Sequence, residues 1–132
     1  MGNPKLYVAF YRPRYGNYQH WALYIDDDKE SIIFEVTGQH PNFQRNVVYA
    51  RPDASRSYVS NVYVATLRDD DIADVKEAAR QVRVDNDTVD WDCQDYVLEL
   101  LDKLEDEFIL EENDEDYREA RKELKKRRGA IL

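Results

Sequence analysis

Every strand-like run of this chain lies before residue 68 and every helical pattern after it, a segregation that points to an α+β fold with helices gathered against one sheet. The runs Lys5–Arg12, His20–Asp26, Ser31–Thr37, Arg45–Ala50 and Asn61–Leu67 are rich in the β-branched and aromatic residues that suit a pleated surface. Between them, Arg14-Tyr15-Gly16-Asn17 and Asp26-Asp27-Asp28-Lys29 carry residues that favour tight reversals. Connections this short cannot hold a parallel crossover, so the expected sheet is an antiparallel meander. The stretch 51–60, with Pro52, Asp53 and serines at 55, 57 and 60, reads as a loop or a bulged strand edge.

Helical spacing takes over beyond Leu67. Asp69-Asp70-Asp71 offers N-caps and first-turn negative charge to a helix reaching about Val82, with Ile72, Val75, Ala79 and Val82 on one face. Asp85 to Asp90 is a loop, and a second helix is expected from Trp91 or Asp92 to Asp106 or Phe108, with Asp90 or Asp92 as its cap. Its apolar stripe is Tyr96, Val97, Leu100, Leu101, Leu104 and Phe108, and Cys93 is in phase with that stripe. The thiol is therefore expected to point inward from the first turn.

A chain of 132 residues supports one domain with a proper core. The net charge of −9 argues against nucleic acid and favours cationic substrates or partners, and ten tyrosines are enough to line a groove as well as a core. One cysteine and two histidines provide neither a disulfide nor four-ligand zinc spacing, so no metal or cofactor is expected. There is no long apolar run to span a bilayer, and the first residues lack a signal-like region; an intracellular, cytoplasmic protein is the expectation. Oligomeric state is not legible. Nine acidic residues between Glu105 and Glu119 precede six basic ones between Arg121 and Arg128, the pattern of an exposed charged helix. The basic cluster also leaves a nuclear address open.

Chemistry concentrates on Cys93 and His20. A thiol in the first turn of a helix feels the positive end of the helix dipole, and an imidazole in reach can take its proton. In the strand His20-Trp21-Ala22-Leu23-Tyr24-Ile25, alternation puts His20, Ala22 and Tyr24 on one face and Trp21, Leu23 and Ile25 on the other. The Cys93 helix is expected on the His20 face, where Ala22 leaves room. The plainer alternative is a small buried hydrophobe at Cys93 and a structural histidine at His20.

Tyr18-Gln19-His20-Trp21-Ala22-Leu23-Tyr24-Ile25 resembles the His-bearing strand of lecithin:retinol acyltransferase-like enzymes, and Asp92-Cys93-Gln94-Asp95-Tyr96-Val97 resembles their Asn-Cys-Glu-His-Phe-Val nucleophile motif. These enzymes form the circularly permuted branch of the NlpC-type, papain-like superfamily, in which the base strand precedes the nucleophile helix. The pairing of His-Trp-Ala with Trp91-Asp92-Cys93-Gln94-Asp95 is closer still to small fungal proteins without an established activity. The similarity covers roughly residues 5 to 108, which implies a permuted papain-like domain over 1–108 and a charged helical extension over 109–132.

The resemblance implies Cys93 as nucleophile, His20 as base and, on the next strand, a polar residue that orients the ring. Glu35 in Ile33-Phe34-Glu35-Val36 is the local match; a carboxylate accepting the Nδ1 proton would fix the tautomer. As a residue of an alternating strand Glu35 is equally well read as solvent-facing, and His40, in the turn between Gly38 and Pro41, is the other candidate. The family's Asn is replaced by Asp92, whose charge would raise the thiol pKa. Main-chain N–H groups of Cys93 and its neighbours are oxyanion donors, and Gln94, Tyr24, Trp21 and Trp91 are oxyanion or substrate-lining candidates, Gln94 being also readable as an exposed first-turn residue. The implied activity is a cysteine hydrolase or acyltransferase, with amidase or peptidase-like chemistry on a peptide, isopeptide or small acyl substrate. The alternatives are an inactive papain-like fold that binds a protein, and a lipid acyltransferase or phospholipase.

Overall fold

A computed structural model of the protein describes residues 2–130. Five strands, β1 (Lys5–Tyr11), β2 (His20–Asp26), β3 (Ser31–Thr37), β4 (Gln44–Val48) and β5 (Tyr58–Thr66), precede three helices, α1 (Asp71–Gln81), α2 (Cys93–Asp106) and α3 (Glu115–Arg127). The sheet is antiparallel with strand order β4-β3-β2-β1-β5. The first four strands form the expected meander. β5 begins earlier than its apolar pattern suggests and pairs with β1 across two register irregularities, at Leu6/Tyr7 and Phe10/Tyr11. The intervening segment makes a 3-10 turn at Pro52–Ala54, where Pro52 is buried.

Strand alternation sorts the side chains into two clusters of very different size. Leu6, Val8 and Phe10 of β1, Trp21, Leu23 and Ile25 of β2 and Ile32, Phe34 and Val36 of β3 share one buried core with the apolar face of α2. Ala9, Tyr11, Ala22, Tyr24 and Ile33 form a small cluster on the other face. The helix thus packs on the Trp21 face, which corrects the expectation that it lies over Ala22. Burial scales with apolar area, and Trp21, Leu23 and Ile25 offer far more of it than His20, Ala22 and Tyr24. Tyrosines line the second face: Tyr7 stacks on Tyr24 at 5.8 Å, and Tyr58 meets Tyr11 edge-on at 6.1 Å.

α2 starts in a capping box. Asp92 Oδ1 accepts from Gln94 N at 2.8 Å, and Asp92 N donates to Asp95 Oδ2 at 2.9 Å. The helix ends at Asp106, so Phe108 leaves the stripe that its spacing implies: it adopts φ 60° and is 87% exposed. At α1 the acidic triplet acts differently from a simple cap. Asp70, the N-cap, makes no side-chain cap bond, while Asp71 Oδ2 accepts from Arg68 N at 2.8 Å.

Arg45 of the edge strand β4 secures the other end of α1, donating from Nε to Ala79 O at 3.1 Å and from Nη2 to Val82 O at 2.5 Å. These carbonyls belong to a helix terminus, which lacks its own donors. Arg45→Met is expected to cost about 1.5–3 kcal/mol, the range for hydrogen bonds to a charged group. A urea midpoint unchanged from wild type would count against this assignment.

The segment after α2 belongs to the same core. Tyr117, Ala120 and Leu124 of α3 are buried with the sheet and α2, α3 packs against β5, and Leu124 is fully covered. The Tyr117 hydroxyl donates to Glu105 at 2.7 Å and Arg121 pairs with Asp102 at 2.9 Å, mooring α3 to α2. The charges of this segment face outward as expected, but the sparse apolar residues fall on one helical face and find cover. The helix expected as an exposed charged extension is therefore part of the core along its Tyr117, Ala120 and Leu124 face.

Candidate functional site

His20 stands where β2 begins, 5% exposed, with its ring 5.3 Å from that of Tyr11. Its Nε2 lies 2.6 Å from Oε1 of Glu35, which is itself only 6% exposed. The other carboxylate oxygen accepts from Asn46 Nδ2 at 2.8 Å, since Glu35 and Asn46 are direct partners in the β3–β4 ladder. Arg14 Nη1 approaches Oε1 at 3.7 Å and its guanidinium lies 5.1 Å over the Tyr11 ring. Burial alone would raise the Glu35 carboxyl, but the bonds and charge from His20, Asn46 and Arg14 outweigh it and hold it below the usual carboxylate range. An ionised Glu35 requires the proton on Nε2. The carboxylate therefore grips Nε2 and not Nδ1 as the sequence suggested, and in the neutral ring Nδ1 becomes the acceptor.

Cys93 reaches the same strand from the other side. The β2–β3 ladder runs only from Leu23↔Phe34 to Asp26↔Ser31, so the main chain before Leu23 has hydrogen-bonding groups to spare on that edge. The Cys93 sulfur lies 3.9 Å from Gln19 O, and the Trp21 main-chain N–H acts to lower its pKa. These groups flank His20 in the chain. The thiol's hydrogen-bonding partners are thus the backbone on either side of His20, and not the imidazole.

The electrostatics of the thiol oppose the expectation from the helix dipole. Cys93 is 3% exposed, and burial pushes its pKa up to about 12. The N–H of Trp21 pulls the other way, the charge of Asp92 raises it further, and the amides of Cys93 and Gln94 recover only part. Asp92 is itself raised by burial, against the Gln94 amide and Arg128. The resting thiol is neutral. Nor is the Gln94 N–H free as an oxyanion donor, because Asp92 already accepts it.

Gln94 is fully buried, which corrects the exposed reading. Its Nε2 donates to Gln19 O at 3.0 Å, and its Oε1 accepts from Arg128 Nη1 at 2.9 Å and from Gly129 N at 2.8 Å. Tyr18, on the lead into β2, has its phenol raised to about 12 by burial and by the neighbouring Cys93 and Asp92. The remaining candidates are packing residues. Trp21 is wholly buried, Trp91 donates to Glu99 at 2.5 Å and meets Phe43 edge-on, and Tyr24 packs in the second cluster. His40 Nδ1 is buried without a hydrogen-bond partner, and Glu35 is the residue bonded to His20.

Asn46, Arg14, Tyr18 and Arg128 are the members of this neighbourhood that sequence reasoning missed. Asn46 was open to inference once β3 and β4 were set in register, because it falls directly opposite Glu35. Among the described residues no group of three His, Cys, Asp or Glu side chains could hold a metal ion, and no helix is long and apolar enough to cross a membrane. Residues 6–111 match the model of a family of unknown function, DUF6540. No curated protein and no solved structure matches the chain.

Proposed function

We propose that this chain, which belongs to the DUF6540 family of unknown function, carries out thiol-dependent acyl transfer or hydrolysis on an amide, isopeptide or ester bond. The observation that carries this reading is the 2.6 Å bond from His20 Nε2 to Glu35, because it leaves Nδ1 of the neutral ring as a proton acceptor at the start of the strand whose lead-in the helix-start cysteine contacts. The permuted order of base strand and nucleophile helix supports it, as does the seating of the sulfur against Gln19 and Trp21.

With a thiol pKa of about 12, the chemistry runs by general-base catalysis and not through a standing thiolate. The scheme requires the sulfur to leave the Gln19 carbonyl and come within reach of Nδ1; the proton then passes to the ring as sulfur attacks the carbonyl carbon, and the imidazolium is stabilised by Glu35. The ring then protonates the leaving amine or alkoxide. Water or a second nucleophile, deprotonated by the same nitrogen, releases the acyl group from sulfur.

An activated-ester probe tests the scheme. Wild type is expected to be labelled at Cys93 at least a hundredfold faster than His20→Ala, with Cys93→Ser unlabelled and both variants folded by circular dichroism. Equal labelling of wild type and His20→Ala sinks it. That outcome would favour the second reading, a protein-binding domain on this fold, for which the 3% exposure of Cys93 speaks.

A further inference from the structure

The two walls between which the Cys93 sulfur lies, the lead into β2 and the first turn of α2, are joined by one short stretch of chain after α3. Arg128 leaves the helix with extended backbone and lays its guanidinium across the α2 cap. Its Nη2 meets Asp95 Oδ1 at 2.5 Å, Nη1 donates to Gln94 Oε1 at 2.9 Å, and Nη1 lies 3.6 Å from Asp92 Oδ1. Gly129 N adds a main-chain bond to Gln94, and Ala130 forms an antiparallel bridge with Tyr18. Gly129 has φ 96°, and a Cβ there would meet nothing within 4 Å, so glycine serves the backbone turn and not a close approach.

We infer that Arg128–Ala130 is an autoinhibitory strap, which closes access to Cys93 by clamping Asp92, Gln94 and Asp95 on one side and Tyr18 on the other. The inference rests on the reading of Cys93 as the nucleophile and adds its regulation. Three features carry it. The strap contacts the residues on both sides of Cys93 in α2. It pairs with the residue whose phenol shares the thiol's electrostatic surroundings. Its principal anchor is a charged side chain that remains partly exposed, 31% for Arg128, so water, salt or a competing cation can reach the ion pairs. Most of the core, by contrast, is independent of it: Leu124 and Tyr117 hold α3 in place one turn or more before the strap begins.

The test is the rate of Cys93 alkylation by iodoacetamide at fixed pH in the full chain. Arg128→Glu places a third carboxylate against Asp92 and Asp95 and is expected to raise the rate at least tenfold. Arg128→Lys, which keeps the charge but loses the forked geometry, should fall between it and wild type. Lys126→Glu makes the same charge change on α3 and should leave the rate within twofold. Gly129→Val, which strains the turn without touching a charge, provides a second route to the open strap if Arg128→Glu does not fold. In wild type, hydrogen exchange of the Gly129 amide and alkylation of Cys93 should report one opening equilibrium and accelerate together as salt is raised.

Alkylation unchanged in both the Arg128→Glu and Gly129→Val proteins, or indifferent to salt while Gly129 exchange accelerates, would overturn the strap. The result separates from the fate of the catalytic reading. A faster-alkylated Arg128→Glu protein whose ester labelling ignores His20 keeps the strap and rejects the catalysis, whereas His20-dependent labelling with unchanged alkylation does the reverse.

Discussion

Leu124→Asp is expected to abolish cooperative folding. Leu124 is fully covered by the core that the sheet and α2 share, so the substitution removes buried apolar surface and leaves an unpaired carboxylate in its place. Leu124→Ala alone should cost about 2–5 kcal/mol, the range for truncating a buried leucine. That is a large part of a domain stability of about 5–15 kcal/mol, and the charged substitution should exceed it. Lys125→Ala, one residue on at an exposed position, should stay within about 0.5 kcal/mol. Thermal and urea unfolding followed by circular dichroism decides the matter: a Leu124→Asp protein that melts with wild type would show that α3 is dispensable.

Removing the Glu35 side chain ranks next. Glu35→Ala leaves the His20 and Asn46 donors without their acceptor in a site almost closed to water, and the expected loss is about 1–3 kcal/mol for each donor left unsatisfied. Glu35→Gln, which keeps a carbonyl in place, should lose less. The pH dependence has a definite sign. A carboxyl held below its unfolded value contributes stability that is fully present above about pH 4.3, the reference for glutamate, and is lost as pH falls through the folded pKa. The gap between wild type and Glu35→Gln should therefore narrow on acidification from pH 6 to pH 3. A gap that stays constant across that series would mean that the carboxylate gains nothing from its neighbours in the folded state.

Much of this architecture was legible in the residues because alternation and helical spacing are local. The strand runs, the α2 stripe and the inward phase of Cys93 need no knowledge of the rest of the chain. What local pattern cannot express is which face of a two-faced strand a helix chooses. Trp21 and Ala22 are neighbours, and only the summed area across β1, β2 and β3 selects the Trp21 side. The same limit hid the packing of α3, which the charges suggest is exposed. Tyr117, Ala120 and Leu124 are few among many charges, so the segment looks soluble until β5 and α2 are in place beside it. At the site, Glu35 is singled out by the resemblance as the polar residue on the strand after His20, against an equal reading as solvent-facing; its burial and the nitrogen it grips depend on how the strands and the ring are set. The roles of Gln94 and Arg128 depend on a contact between positions 34 residues apart.

The place of β1 in the sheet has a consequence for the order in which the chain can become whole. β1 precedes β2, its partner on one edge, yet its other edge has no partner until β5, whose last residue is Thr66, has been synthesised. During elongation the nascent meander therefore presents the main-chain donors and acceptors of β1 to its surroundings, in a strand whose Leu6, Val8 and Phe10 also await α2. At a synthesis rate of about 5–20 residues per second that interval lasts seconds, long enough for a chaperone or another nascent chain to find the edge. The half-made sheet is thus the species expected to be vulnerable, and slowing translation between β2 and β5 should lower the soluble yield without altering the finished molecule.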